Sequence, residues 1–240
     1  YGKAELADWV NRLRGAESAL ALAKRTGLSR DAVGRILRGQ SEPRLPDFWA
    51  LVAAITGRLS DLVARLVNID EVPALVQEYR LQTAARDLAF AEPWSVPILR
   101  LIETDAFQQR PFVEGQLSNI LGIDLETEQR CLRGLCEAEV IRWQGETYNA
   151  IRALTVDAKG QPERLWDLKR HWARTGADFV GRNTPANRFS YNLFSCSAED
   201  FEKIRELQWQ FYHQVRGIVS SSSPVERVGL LNMQLVEWLP

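Results

Sequence analysis

The chain of 240 residues carries 30 Lys and Arg against 31 Asp and Glu, and 45% of its residues are hydrophobic, an ordinary balance for a globular protein with room for more than one core. The net charge of −1 conceals a division: residues 1–66 hold 11 basic and 7 acidic side chains, so +4, whereas the remainder holds 19 and 24, so −5. No apolar run approaches the length of a membrane span, no charged-then-apolar leader opens the sequence, and three cysteines with two histidines form no metal spacing. Those absences point away from membrane, secreted-disulfide and zinc-finger classes, toward a cytoplasmic protein whose thiols are buried and reduced.

In chain order, Gly2 to Arg14 is predicted to be an amphipathic helix, with Leu6, Trp9, Val10 and Leu13 at helical spacing. Ala19 to Arg38 follows as two short helices around a tight turn. Leu22 and Ala23 face inward on the first, and the small Ala23 lets the second helix cross closely. Gly27 supplies the left-handed corner, Leu28 points back into the core, and Ser29 is placed to cap the second helix. In that helix Val33, Ile36 and Leu37 form the buried stripe and Arg30, Asp31, Gly34, Arg35 and Arg38 lie on the open side. Three arginines on one open face suit the major groove, where Arg pairs with guanine edges or phosphates. A turn-rich RGQSEPRLP segment leads to a helix over Asp47–Thr56, and Ser60 caps a fifth helix through Leu66.

Ala23, Gly27, Ser29, Val33, Ile36, the pair Arg38-Gly39 and Pro43, within an opening segment of about 65 residues, resemble the Xre-type, lambda-repressor-like helix-turn-helix family. The resemblance implies a five-helix DNA-binding domain over residues 1–67 and a homodimer on a palindromic operator. The expected DNA-facing residues are Ser18, Lys24, Ser29, Arg30, Asp31, Gly34, Arg35, Arg38, Gln40 and Arg44. Ser29 to Arg35 would enter the major groove, while Ser18, Lys24, Arg38, Gln40 and Arg44 would anchor phosphates. Ala19 stands where the family commonly carries a DNA-contacting Gln, so contact through that side chain is lost.

Residues 68–92 are expected to form connecting helix with no flexible linker. Helices over Trp94–Ala106, Pro111–Leu121 and Asp124–Ala138 then precede a hairpin flanking Gln144-Gly145-Glu146, the outline of a winged helix over residues 93–155. Its third helix reads as a poor DNA reader: Asp124, Glu126, Glu128, Glu137 and Glu139 outnumber Arg130 and Arg133, and such a surface is repelled by phosphates. A structural or protein-contact role fits better.

Residues 156–240 read as an α+β regulatory or dimerisation region. A helix over Pro162–Phe179 carries Trp166 and Trp172 as expected core aromatics, with His171 in a structural role. Alternation predicts a strand over Arg188–Cys196 and another over Val225–Trp238. Between them lies a helix over Ala198–Val219 with Phe201, Ile204, Leu207, Phe211, Val215 and Ile218 on one face. With its SAEDFEKI and LNMQL segments this part resembles a C-terminal domain of unknown function found fused to Xre-type domains in bacteria. The expected fold class is therefore mainly α with a smaller α+β part: a five-helix helix-turn-helix bundle, a winged-helix-like region and a C-terminal strand-helix-strand unit.

The functional expectation is a sequence-specific transcriptional regulator bound to double-stranded DNA, with no cofactor and no metal. Residues 68–240 would serve dimerisation and the sensing of a peptide, small molecule or protein effector. The rival is a protein-interaction module, antitoxin-like or a phage-related inhibitor, whose main target is another protein. No nucleophile stands beside a base and no ligand set converges at a recognisable spacing, so an enzyme is not expected.

Overall fold

The computed structural model describes residues 2–14, 17–56, 63–64, 68–152, 154, 156, 162–182, 186–220 and 222–238. The fold is mainly helical with one small antiparallel sheet, and it divides into two compact units: residues 1–76 with 196–223, and residues 77–195 with 224–240. Among the described residues no helix is long and apolar enough to cross a membrane.

In the first unit α1 (Lys3–Arg14), α2 (Ala19–Thr26), α3 (Arg30–Leu37) and α4 (Leu45–Thr56) enclose one core of Val10, Leu22, Ala23, Val33, Ile36, Leu37 and Leu51. α2 packs on α3 and α4, and α1 closes over α3 and α4. The helix expected over Ser60–Leu66 lies almost wholly outside the described residues. Asn11 Nδ2 donates to the Leu37 carbonyl at 2.7 Å and so satisfies an end group of α3 that the helix itself leaves open.

Gly39 shows why a glycine follows Arg38. Its φ is +68°, and a Cβ built there would stand 3.3 Å from Ala4 Cα and 3.4 Å from the Lys3 carbonyl oxygen. Gly27, at φ +73°, has open space around it. Gly39→Ala is therefore expected to cost about 1–2 kcal/mol for the left-handed backbone plus the displacement of α1, and more than Gly27→Ala, which meets only the first penalty. Urea unfolding of the two variants checks this; equal losses would refute the close approach as a constraint.

The second unit is built on α5 (Pro73–Ala91, most of its length), α6 (Ser95–Ile102), α7 (Asp105–Gln108), α8 (Gln116–Leu121), α9 (Leu125–Glu137) and the hairpin β1 (Ile141–Gln144) and β2 (Thr147–Ala150). Ile98, Leu99, Ile102, Leu117, Cys131, Leu135, Val140 and Ile141 are the centre of its core. The hairpin registers Ile141 on Ala150 and Trp143 on Tyr148 around a loop with Gly145 at φ +63°. Trp143 and Tyr148 meet edge to face with centroids 4.9 Å apart, and Phe112 adds a third ring 5.1 Å from Tyr148. Where α5 meets α9 the Leu88 side chain lies against Gly134, and a Cβ there would fall 2.5 Å from Leu88 Cδ1.

Two expected helices are shorter than their patterns suggest. The one predicted over Trp94–Ala106 breaks after Ile102, because Thr104 turns to extended backbone and its hydroxyl accepts from Phe107 N at 3.4 Å, starting α7. The one predicted from Pro111 starts only at Gln116, because Gly115 is left-handed at φ +83°.

α10 (Pro162–Asp178) is anchored to α5 by Arg164, which pairs with Asp87 at 2.6 Å and lies over the Phe90 ring. Trp172 packs edge-on against Trp94 at 5.5 Å, and His171 joins them with burial lowering its pKa from the ordinary value. Trp166 corrects the expectation of a core aromatic: it is 61% exposed with Lys169 Nζ 4.7 Å from its ring centre, because the inward stripe of α10 runs through Leu168.

The C-terminal strands are also corrected. α11 (Ala198–Ser220) forms, capped by Ser197, whose hydroxyl accepts from Asp200 N at 3.1 Å. Residues 188–196 and 225–238 belong to no sheet; among the described residues the only ladder is β1 with β2. Alternation makes a segment two-faced, but a strand also needs a neighbouring strand to ladder with, and among the described residues neither segment is paired in a ladder. The carbonyl of Val225 does accept from Asp105 N at 3.0 Å, which holds the start of the last segment to α7.

Candidate nucleic-acid interface

α2 begins at Ser18, whose backbone is extended and whose hydroxyl accepts from Ala21 N at 3.1 Å. Just before it, buried Glu17 pairs with Arg25 at 2.6 Å, and its carbonyl accepts from Arg14, so α1 and both ends of α2 are tied together. At the other end Gly27 N donates to the Ala23 carbonyl at 3.0 Å in the left-handed conformation. Thr26 adds a second lock: its hydroxyl donates to the Leu22 carbonyl at 2.8 Å and accepts from Leu28 N at 3.3 Å. Ser29 then caps α3, accepting from Ala32 N at 3.2 Å.

The frame fixes which way α3 looks. Val33, Ile36 and Leu37 are buried, while Arg30, Asp31, Arg35 and Arg38 are exposed. At 100° per residue these four occupy one arc of about 140°, carrying three positive charges against one negative. Ser18, Lys24, Ser29, Gln40 and Arg44 are exposed as well, so nine of the ten expected interface residues stand at the surface. The tenth is corrected. Gly34 is buried because the Arg38 side chain lies across it, and a Cβ at 34 would come 3.1 Å from Arg38 Nη1. Gly34 therefore serves as the floor for a guanidinium, and it is not an open approach point on the helix. Arg38 Nε also donates to Gln40 Oε1 at 3.1 Å, holding two expected phosphate anchors as one group. The Gly34–Arg38 pairing was missed from the sequence, although the i,i+4 spacing of a glycine and an arginine on one helix was a usable signal.

In the second unit a cavity of about 310 Å³ opens between α9 and the hairpin. Phe112, Leu132 and Tyr148 supply apolar wall; Glu114, Gln129 and Arg133 supply polar groups, with Gln129 Nε2 donating to Glu114 Oε1. Cys136 also lines it. That residue corrects the expectation of three buried thiols: Cys131 is buried and its thiol is pushed up to about 12 by desolvation, but Cys136 and Cys196 are exposed. Cys136 sits on the shoulder of the inward stripe of α9, which runs through Glu128, Cys131, Leu132 and Leu135.

Glu128 is likewise not the surface acid that the charge pattern suggested. It is completely buried, its two carboxyl oxygens accepting from Gly115 N at 3.1 Å and Ser118 N at 2.5 Å at the start of α8. The remaining four acids of residues 124–139 are exposed, and Arg130 is spent on Glu92 at 2.9 Å and Glu126 at 3.2 Å. The acidic character of this face survives the loss of one carboxylate. Among the described residues no three His, Cys, Asp or Glu side chains converge as metal ligands would.

A mainly helical chain with this small sheet is the class that the fold defines. Residues 76–237 match the family model described as domain of unknown function DUF4423, and the chain belongs to that family. The match begins beyond α4, so it covers α6 to α11 and not the arginine face of α3. No curated protein and no solved structure matches the chain.

Proposed function

We propose that this chain is a sequence-specific DNA-binding transcriptional regulator of the Xre helix-turn-helix type that acts as a homodimer on a palindromic operator. One observation carries the reading: Arg30, Arg35 and Arg38 share one exposed arc of a helix whose two preceding corners are capped by Ser18, Gly27 and Ser29. A helix held that firmly presents its side chains with little ordering left to do on binding. In the proposed complex Ser29 to Arg35 enter the major groove with Arg30, Asp31 and Arg35 nearest the base edges, and Ser18, Lys24, Arg38, Gln40 and Arg44 lie along the phosphates. Two subunits would meet half-sites about 34–36 Å apart.

In this reading α6 to α9 and the hairpin form a winged-helix-like region that serves protein contact or sensing, since its acidic α9 face opposes a phosphate backbone. The cavity beside Tyr148 is the candidate seat of a small effector, at the low end of the volume such sites occupy. The second reading, a module whose main target is another protein, is favoured by the exposed apolar side chains concentrated between Phe189 and Trp238.

Selection from random DNA duplexes with the full chain separates the two. A recovered inverted repeat with half-sites one helical turn apart supports the regulator. Recovery of no preferred sequence in moderate salt overturns it and leaves the protein-target reading standing.

A further inference from the structure

α11 is a 23-residue helix with a single buried residue, Gly217. It is internally well supported, with Lys203 bridging Glu199 at 2.9 Å and Asp200 at 2.8 Å, and Arg205 on Glu202 at 2.7 Å. Yet Leu207, Phe211 and Ile218 are 62%, 46% and 69% exposed, and at 100° per residue they fall within about 40° of one another. Half-buried Ile204 and Val215 continue the same face.

The spacing along that face says what covers it. Ile204, Leu207, Phe211, Val215 and Ile218 are separated by three, four, four and three positions, a pattern that reads the same in both directions about Phe211. A twofold axis requires a surface that is complementary to itself. An antiparallel copy centred on Phe211 sets Leu207 opposite Val215 of the second copy, Ile204 opposite its Ile218, and Phe211 on itself. Charge agrees with that direction: residues 198–206 hold four acids and two bases, whereas residues 207–220 hold Arg216 and no acid. Antiparallel pairing brings the negative end of each helix to the positive end of the other and opposes the two helix dipoles; parallel pairing stacks like ends. With the neighbouring Tyr212 and Val219, also exposed, such a seam removes on the order of 500 Å² per copy, so about 1,000 Å² in total, the size at which specific association begins.

We propose that α11 is the dimer seam of this protein, two copies packing antiparallel about an axis through Phe211. The inference rests on the homodimer of the reading above but not on its DNA target.

The test uses the full chain with Cys136 and Cys196 replaced by Ser. Under oxidised glutathione, which takes up the two electrons and two protons as each disulfide forms, Phe211→Cys is expected to cross-link to itself. Leu207→Cys alone should not, since its two copies are offset by about 12 Å along the axis, but it should cross-link when mixed with Val215→Cys. Independently, Phe211→Lys should weaken the dimer roughly a hundredfold in sedimentation, with helix content unchanged, because two lysines would face each other across a desolvated axis. Self-linking of Leu207→Cys, or a Phe211→Lys variant as dimeric as the parent, overturns the seam while leaving a regulator that dimerises elsewhere. A parent chain that stays monomeric overturns both the seam and the dimer. Failure of the DNA selection with the cross-links intact overturns the regulator alone.

Discussion

Arg35→Ala is expected to lower affinity for a selected operator by about 10- to 100-fold, equivalent to roughly 1–3 kcal/mol for one bidentate base contact, and to relax the sequence preference at one position of each half-site. The folded state should not register the change, because Arg35 is exposed on α3 and its neighbours Val33, Ile36 and Leu37 carry the packing. Lys24→Ala provides the contrast. A lost phosphate anchor weakens all duplexes evenly and reduces the slope of affinity against salt by about one counterion. Fluorescence anisotropy on the selected duplex and on a scrambled one, at two salt concentrations, reads both effects. If Arg35→Ala bound the selected site as tightly as the parent, the arc of α3 would not be the reading face.

Glu128→Leu is expected to cost about 3 kcal/mol and to lower the melting temperature of the second unit by several degrees. The substitution keeps a side chain of similar reach but strands the N–H groups of Gly115 and Ser118, both of which donate to this buried carboxyl group. Glu128→Gln should lose less, since one oxygen remains to accept. Thermal denaturation of the three proteins checks the order; a Leu variant as stable as the parent would mean that the start of α8 finds other partners.

Legibility in the sequence followed the range of the interaction. The caps were readable because they are local: Ser18, Ser29 and Ser197 each reach a backbone N–H three residues away, and Gly27 turns the corner that its lack of a Cβ permits. The hairpin was readable for the same reason, with its loop glycine between two alternating runs. Long-range facts were not. Glu128 reads as one acid among several on an exposed helix until α8, ten residues back in the chain, is folded against it. Trp166 reads as core by its size, but its place on α10 relative to Leu168 decides its exposure. The two C-terminal segments alternate as strands do, and alternation contains no information about whether a neighbour exists to pair with.

The arginine face was legible in outline and wrong in one detail of consequence. Side-chain periodicity put Gly34 among the open positions, whereas the length of the Arg38 side chain lets it fold back one turn and cover the glycine. A pattern that treats each residue as a direction from the helix axis cannot represent a side chain that lies along the surface.

That overlap makes positions 34 and 38 a single unit of sequence change. A methyl group at 34 makes the guanidinium give by a few tenths of an ångström and a larger side chain displaces it, so the effect on binding is inherited through Arg38 and disappears once Arg38 is gone. Homologous interfaces that carry a larger residue at the first position should therefore have surrendered the arginine at the second, and the two losses should not add.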